Sequence, residues 1–236
     1  MVDEVKVSCK INLSSTFFTN KPKTIRLLNC DATSSTSLAN LFSGSTNVVT
    51  IEMKDLDVSN VTDMGGMFYR CSGATTIDIA NWNTSSVTNL SNAFYYCKKV
   101  TSLDLSSWDT SKVTDMKHMF DRCEKLTSLD VSHFNTSGVT SMNGMFMFCA
   151  KLTSLDLSGW NTEKVTDMSN MFMLCQAKSL DLSGWDMASV KSTNSMFFRC
   201  NSLTTVRMVG CNQTTIDKIK SALSSDGISS HVTIIT

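Results

Sequence analysis

The chain is poor in the features that most function classes need. It has no net charge, with Lys plus Arg at 21 and Asp plus Glu at 21. No bulk field therefore draws it to nucleic acid or to an anionic membrane surface. No apolar run approaches the ~18 residues of a membrane-spanning helix. The opening MVDEVKVSCKINL has no basic stretch followed by an apolar one, so no export signal is visible there. Histidine is scarce, with only His118, His133 and His231. There is no CxxC pair, no HExxH, GxSxG or GxGxxG, and no phosphate-loop pattern. Neither a metal centre nor an enzyme is expected, and no cofactor.

What the chain does have is a repeat. Thr101–Leu126 (TSLDLSSWDTSKVTDMKHMFDRCEKL) is nearly duplicated in Thr127–Leu152 (TSLDVSHFNTSGVTSMNGMFMFCAKL). Cysteines recur at 71, 97, 123, 149, 175 and 200, a spacing of 26 four times and then 25. A fixed period of this length means a solenoid, in which each unit buries its apolar side chains only against its neighbours. Ser102-Leu103-Asp104-Leu105-Ser106 alternates polar and apolar, the pattern of a half-buried strand. Val113, Met116, Met119, Phe120 and Cys123 then follow at spacings of three, three, one and three, which predicts a short helix. The expected coil is thus α/β, with one parallel strand and one short helix.

The first inward strand position can be followed through Ile25, Ile51, Ile77, Leu103, Leu129, Leu155, Leu180 and Val206. The residue missing between Leu155 and Leu180 falls at Gln176-Ala177. One continuous domain follows: an N-terminal cap over 1–23, a solenoid of about seven 26-residue coils over 24–208, and a C-terminal cap of helix plus strand over 209–236. Within that last cap, Thr214–Ser225 reads as a helix, Gly227 as its stop and 232–235 as a strand.

Residues one period apart stack. Stacked cysteines have parallel Cα–Cβ vectors, which rarely suit a disulfide, so the six are expected as buried free thiols. Trp82, Trp108, Phe134, Trp160 and Trp185 form an aromatic row, with Cys30, Leu56 and Cys211 in the same phase. Apolar replacement at both ends favours core packing over an exposed ligand-stacking platform. Asp57, Asn83, Asp109, Asn135, Asn161 and Asp186 follow the strand and are expected to satisfy backbone groups of adjacent coils. Arg70, Arg122 and Arg199 each precede a cysteine and read as the solvated end of the short helix. On the outward strand face stands a carboxylate row, of which Asp78, Asp104, Asp130, Asp156 and Asp181 are the candidate ligand-binding residues. Two readings stay open for it. The acids accept bonds from flanking Ser and Thr, or they present a face to cations or a basic partner. Single carboxylates in a flat row do not converge as calcium requires.

The unit LxxLDLSxWxTSxVTDMxxMFxxC resembles the bacterial surface-protein repeat of BspA-like leucine-rich-repeat proteins. The matching residues include Leu103-Asp104-Leu105-Ser106, Trp108, Thr110-Ser111, Val113–Met116, Met119-Phe120 and Cys123, over roughly residues 24–208. The resemblance implies a right-handed leucine-rich-repeat solenoid at the cell surface or secreted. It also implies adhesion to a protein or glycan ligand on host or neighbouring cells, with no nucleic acid and no membrane insertion. A structural spacer or stalk with no ligand of its own is the alternative.

Overall fold

A computed structural model describes residues 4–7, 22–27 and 32–236 of the chain. It is a parallel β-solenoid of about eight turns with little helix. Strands β1 (Glu4–Val7), β2 (Thr24–Leu27), β3 (Thr50–Glu52) and β4 (Thr76–Asp78) form one parallel sheet in that order. Strands β5 (Ser154–Asp156), β6 (Ser179–Asp181), β7 (Thr205–Arg207) and β8 (Thr233–Ile235) form a second. The register follows the sequence phase, with Ile25 beside Ile51, Ile51 beside Ile77, Leu155 beside Leu180 and Leu180 beside Val206. The one-residue deletion is absorbed just after Cys175, as the 25-residue offset between Leu155 and Leu180 requires.

Two strands anticipated from the pattern, at Leu103 and Leu129, are not formed. Leu103 is still buried and Leu129 half-buried, so the alternation marks burial correctly but the ladder opens between β4 and β5. Beside this opening the Trp82–Trp108 and Phe134–Trp160 ring centroids are 6.5 Å apart. That is wider than the 5.3–5.9 Å between successive phenylalanine rings elsewhere in the coils, where parallel bridges run unbroken.

The short helix expected in each coil is not formed either. In an α-helix the Phe120 N–H would donate to Met116. Here it donates to the Met145 carbonyl of the next coil at 3.0 Å. The amides of Met116, His118, Phe120 and Arg122 all donate forward, to Ser141, Asn143, Met145 and Met147. The amides between them close local turns: Met119 to Met116, Asp121 to His118 and Cys123 to Phe120. Each such turn links residues three apart, Met116 with Met119 and Phe120 with Cys123 among them, which is why the apolar stripe has helical spacing. Each coil needs two left-handed residues to make the arc, at φ 52° for His118 and 60° for Arg122 in this one.

The arc is the continuous part of the solenoid. Parallel bridges run unbroken along it through Ser37, Asp63, Asn89, Asp115, Ser141, Asp167 and Ser192. Behind them Phe42, Phe68, Phe94, Phe120, Phe146, Phe172 and Phe197 stack with successive centroids 5.3–5.9 Å apart. Each phenylalanine removed from water contributes roughly 1.5–3 kcal/mol. Threonines tie the coils together: the hydroxyls of Thr62, Thr88, Thr114, Thr140 and Thr166 donate to the carbonyl one coil earlier. A second set, Thr84, Thr110, Thr136 and Thr162, donates to the carbonyl one coil later.

At the C-terminal end, helix α1 (Gln213–Ser225) lies between β7 and β8. Asn212 caps it by accepting from the Thr215 amide at 2.8 Å, and Ile219, Ala222 and Leu223 are buried against the last coil. Gly227, at φ 75°, turns the chain out of it. No helix among the described residues is long and apolar enough to cross a membrane.

Candidate functional site

The outward acids stand one per coil in a row and do not converge. Each turns an oxygen back onto its own chain. The Oδ1 atoms of Asp104, Asp130 and Asp156 accept from the amide (3.1 Å) and hydroxyl (2.6–2.7 Å) of Ser106, Ser132 and Ser158. Asp78 and Asp181 accept from the Ala80 and Ser183 amides at 3.3 and 3.0 Å. The serine hydroxyls and amides hold the Asp104 and Asp130 carboxyls below the usual carboxylate range. At the row's ends arginines answer the charge, Arg26 on Glu52 at 2.6 Å and Arg207 on Asp181 at 3.5 Å. Oδ1 in this row is thus part of the turn, and Oδ2 is what a ligand would meet. Among the described residues no group of three or more His, Cys, Asp or Glu is placed to hold a metal ion.

The second polar row also serves its own coil. Asp57, Asn83, Asp109, Asn135, Asn161 and Asp186 accept from the amide two residues on, at 2.8–3.1 Å. The expectation that they bond adjacent coils is corrected: a short acceptor reaches the amide two residues on, and the neighbouring threonines make the bonds between coils.

The aromatic row is core. Trp82, Trp108, Phe134, Trp160 and Trp185 are at most 4% exposed. Trp82, Trp160 and Trp185 donate their indole N–H to the carbonyls of Met53, Val131 and Leu157 in the preceding coil at 2.8–2.9 Å. Cys211, in the same phase, puts its thiol on the Leu182 carbonyl at 3.2 Å. Phe134 has no N–H to give, and the corresponding carbonyl, Leu105, is met instead by Nε2 of His133 at 3.1 Å. Nε2 must carry the proton for that bond. Among the described residues the Trp108 indole N–H alone of the row is buried without a partner. Cys30 lies outside the described residues.

The six repeated cysteines are free and at most 2% exposed. Cys71, Cys97, Cys123, Cys149 and Cys200 point their thiols at phenylalanine carbonyls of the preceding coil, at 2.8–3.3 Å. Burial pushes the thiols up, Cys175 to about 11 and Cys71 to about 12.

Outside the arc, the two residues before each cysteine differ from coil to coil while the core repeats. They read Tyr69-Arg70, Tyr95-Tyr96, Asp121-Arg122, Met147-Phe148, Met173-Leu174 and Phe198-Arg199. The arginines are not at a helix end, since there is no helix. They occupy the second left-handed position of the arc, as do Tyr96, Phe148 and Leu174, at φ 57–64°. The first coil has Gly44 there. These side chains meet across coils. Tyr69 and Tyr95 stack at 4.8 Å, the Arg122 guanidinium lies 3.8 Å from the Phe148 ring centre, and the Lys98 ammonium 4.4 Å from that of Tyr96. Asp121 breaks the pattern by facing in. Its carboxylate is 1% exposed, with Oδ2 3.0 Å from Nδ1 of His118 and Oδ1 unpartnered, and burial raises its pKa.

A family model described as "Mycoplasma protein of unknown function, DUF285" matches the chain over residues 11–103 and 89–208. No curated protein matches it.

Proposed function

The chain belongs to the DUF285 family, and from that premise we propose that it is a non-catalytic binding module that grips a protein partner with the outer side of its arc. The observation that carries this is the left-handed row. Arg70, Tyr96, Arg122, Phe148, Leu174 and Arg199 hold bulky side chains at φ 57–64°. Such a backbone costs an L-residue with a Cβ about 1–2 kcal/mol, and glycine almost nothing. Aromatic residues, Met and Arg are the side chains enriched at interfaces and among their energetic anchors. Arg70, Arg122 and Arg199 make the strip basic, which suits an acidic partner surface; Lys98 is paired with Glu124 at 3.0 Å.

The resemblance to BspA-like surface repeats adds the setting: a right-handed leucine-rich-repeat relative, displayed at the cell surface or secreted, acting in adhesion to matrix proteins, cells or glycans. The acid row of Asp78, Asp104, Asp130, Asp156 and Asp181 is the second candidate face of the same module.

The test is a solid-phase screen of the purified chain against matrix proteins and whole cells, repeated with two variants. Tyr96→Gly/Arg122→Gly/Phe148→Gly copies Gly44, so it should fold at least as stably while losing binding. Asp104→Asn/Asp130→Asn/Asp156→Asn should bind as the parent does. Loss confined to the asparagine variant would move the site to the strand face. Binding untouched by both would overturn both faces as the site, and binding absent throughout would leave the structural spacer as the better reading.

A further inference from the structure

We propose that the notch over Gly65-Gly66, at the arc of the second complete coil, is a binding site for a neutral sugar residue. This goes beyond the protein-binding strip and stands without it. The notch is an open, polar-lined concavity of about 480 Å³. It exists because this coil departs from its neighbours. Where the arc places Ser91-Asn92 and Ser169-Asn170 in other coils, it has two glycines here. The missing side chains let two amides lie close over the backbone: a Cβ on Gly65 would stand 2.7 Å from Nδ2 of Asn89, and one on Gly66 2.5 Å from Oδ1 of Asn40, so either would push the amide aside.

The polar groups are held in place. Oδ1 of Asp63 accepts from the Gly65 amide at 2.9 Å and from Nδ2 of Asn89 at 2.8 Å, and Asn89 in turn accepts from the Ser91 amide at 2.9 Å. That leaves Oδ2 of Asp63 as an acceptor beside the second Nδ2 hydrogen of Asn89 as a donor. Asn40 and Asn92, in the coils on either side, each add an amide carrying both functions. One wall is Tyr69. Its ring is backed by Tyr95 at 4.8 Å on the side of the next coil. Towards the preceding coil its counterpart is only Ser43, another residue of the lining. The Arg70 guanidinium lies over the Tyr69 ring, 5.4 Å from its centre, and helps fix it without lining the notch.

The mixture selects the ligand class. An anion would meet the Asp63 carboxylate, and a metal ion would lack converging ligands, since no such group is present among the described residues. An apolar molecule would strand the amides without partners. Vicinal hydroxyls, each both donor and acceptor, match paired amide and carboxylate groups, and the C–H face of a pyranose suits a fixed aromatic ring.

The experiment is saturation-transfer difference NMR on the full chain with D-glucose, D-galactose, D-mannose and N-acetyl-D-glucosamine as separate probes. At least one should receive saturation at its ring protons. Gly65→Ser/Gly66→Asn copies Ser91-Asn92, whose asparagine has φ 56° against 62° for Gly66, so the backbone conformation is allowed while the new side chains fill the notch and push the Asn40 and Asn89 amides aside. It should weaken binding by about tenfold or more, and Tyr69→Ser, which copies Ser43, should do the same. Tyr96→Gly/Arg122→Gly/Phe148→Gly should bind sugar as the parent does, which separates this site from the protein-binding strip. No transfer to any of the four sugars, or transfer that survives both the filled notch and Tyr69→Ser, would overturn the proposal.

Discussion

Raising the pH should unfold this solenoid over a narrow interval, because six buried thiols must keep their protons for the coils to stay stacked. Cys71, Cys97, Cys123, Cys149, Cys175 and Cys200 are raised above the ordinary 9.0 by burial, Cys175 to about 11 and Cys71 to about 12. Below pH 9 both folded and unfolded chains hold these protons, and the thiols add no pH dependence. Above it only the unfolded chain releases them, so stability falls as pH climbs from 9 towards the folded values. By pH 10 each thiol has removed roughly 1 kcal/mol or a little more, and six together about 6–8 kcal/mol. That is comparable to the whole stability of a typical domain, roughly 5–15 kcal/mol.

The control is Cys97→Ser/Cys123→Ser/Cys149→Ser, which copies Ser45, the buried residue at this position of the first coil. With half the thiols gone, the loss by pH 10 should shrink to about 3–4 kcal/mol and the alkaline midpoint should move up. Tyrosine and lysine titration is common to both proteins and cancels in the comparison. Urea unfolding followed by far-UV circular dichroism, under reductant and from about pH 8 to about pH 10.5, gives both slopes. Equal slopes in the two proteins would refute the buried ladder as the source of the pH dependence.

Three further outcomes rest on single buried groups. Trp108→Phe and Trp160→Phe lose equal ring area, but only Trp160 has an indole hydrogen bond to lose. In chemical denaturation Trp160→Phe should therefore be less stable than Trp108→Phe by about 2–4 kcal/mol, and the reverse order would contradict the orphaned N–H. Asp121→Asn should stabilise the chain at pH 7 by about 1–3 kcal/mol, since it removes a buried charge with an unpartnered oxygen. The Asp121 pKa is raised from 3.8, so the parent loses stability as pH rises through that window, and calorimetry at about pH 3 should find the two proteins equal. With Cys9 and Cys30 changed to serine, a thiol reagent at neutral pH should label Cys211, the one half-buried thiol of the described seven, well before the rest. Rapid labelling of any of the other six would place that thiol at the surface.

The period and phase of the repeat are legible in the sequence because stacking makes like residues recur. Ile25, Ile51 and Ile77 do pair in register. The arc is harder to read, because i-to-i+3 turns and a helix produce the same apolar spacing. A signal that separates them stands one residue before Leu41, Met67, Ala93, Met119, Met145 and Met171. There the chain carries Asn40, Gly66, Asn92, His118, Gly144 and Asn170, residue types that tolerate a left-handed backbone, at a strict period of 26. A helix has no use for such a column. The missing strands at Leu103 and Leu129 are not legible, because alternation reports which side chains are buried and not how closely two backbones approach. Nor is the notch, which depends on what two adjacent coils place over Gly65 and Gly66.

The left-handed row also bears on whether the chain is a spacer or a binding module. Six bulky residues at about 1–2 kcal/mol each carry a conformational cost of roughly 6–12 kcal/mol, as large as the net stability of many domains. The solenoid can sustain it because each affected residue lies between a buried phenylalanine of the stack and a buried cysteine, and the amides of Arg70, Tyr96, Arg122, Phe148 and Leu174 are bonded to the next coil. A spacer would lose nothing by having glycine at all these positions, as the first coil does at Gly44. Glycine would, however, remove the arginine and aromatic side chains from the surface. On the proposed binding-module reading the strain and the surface chemistry belong together: the core repeats because every coil must stack on the last, and the outer pair is free to vary to suit a partner that does not repeat.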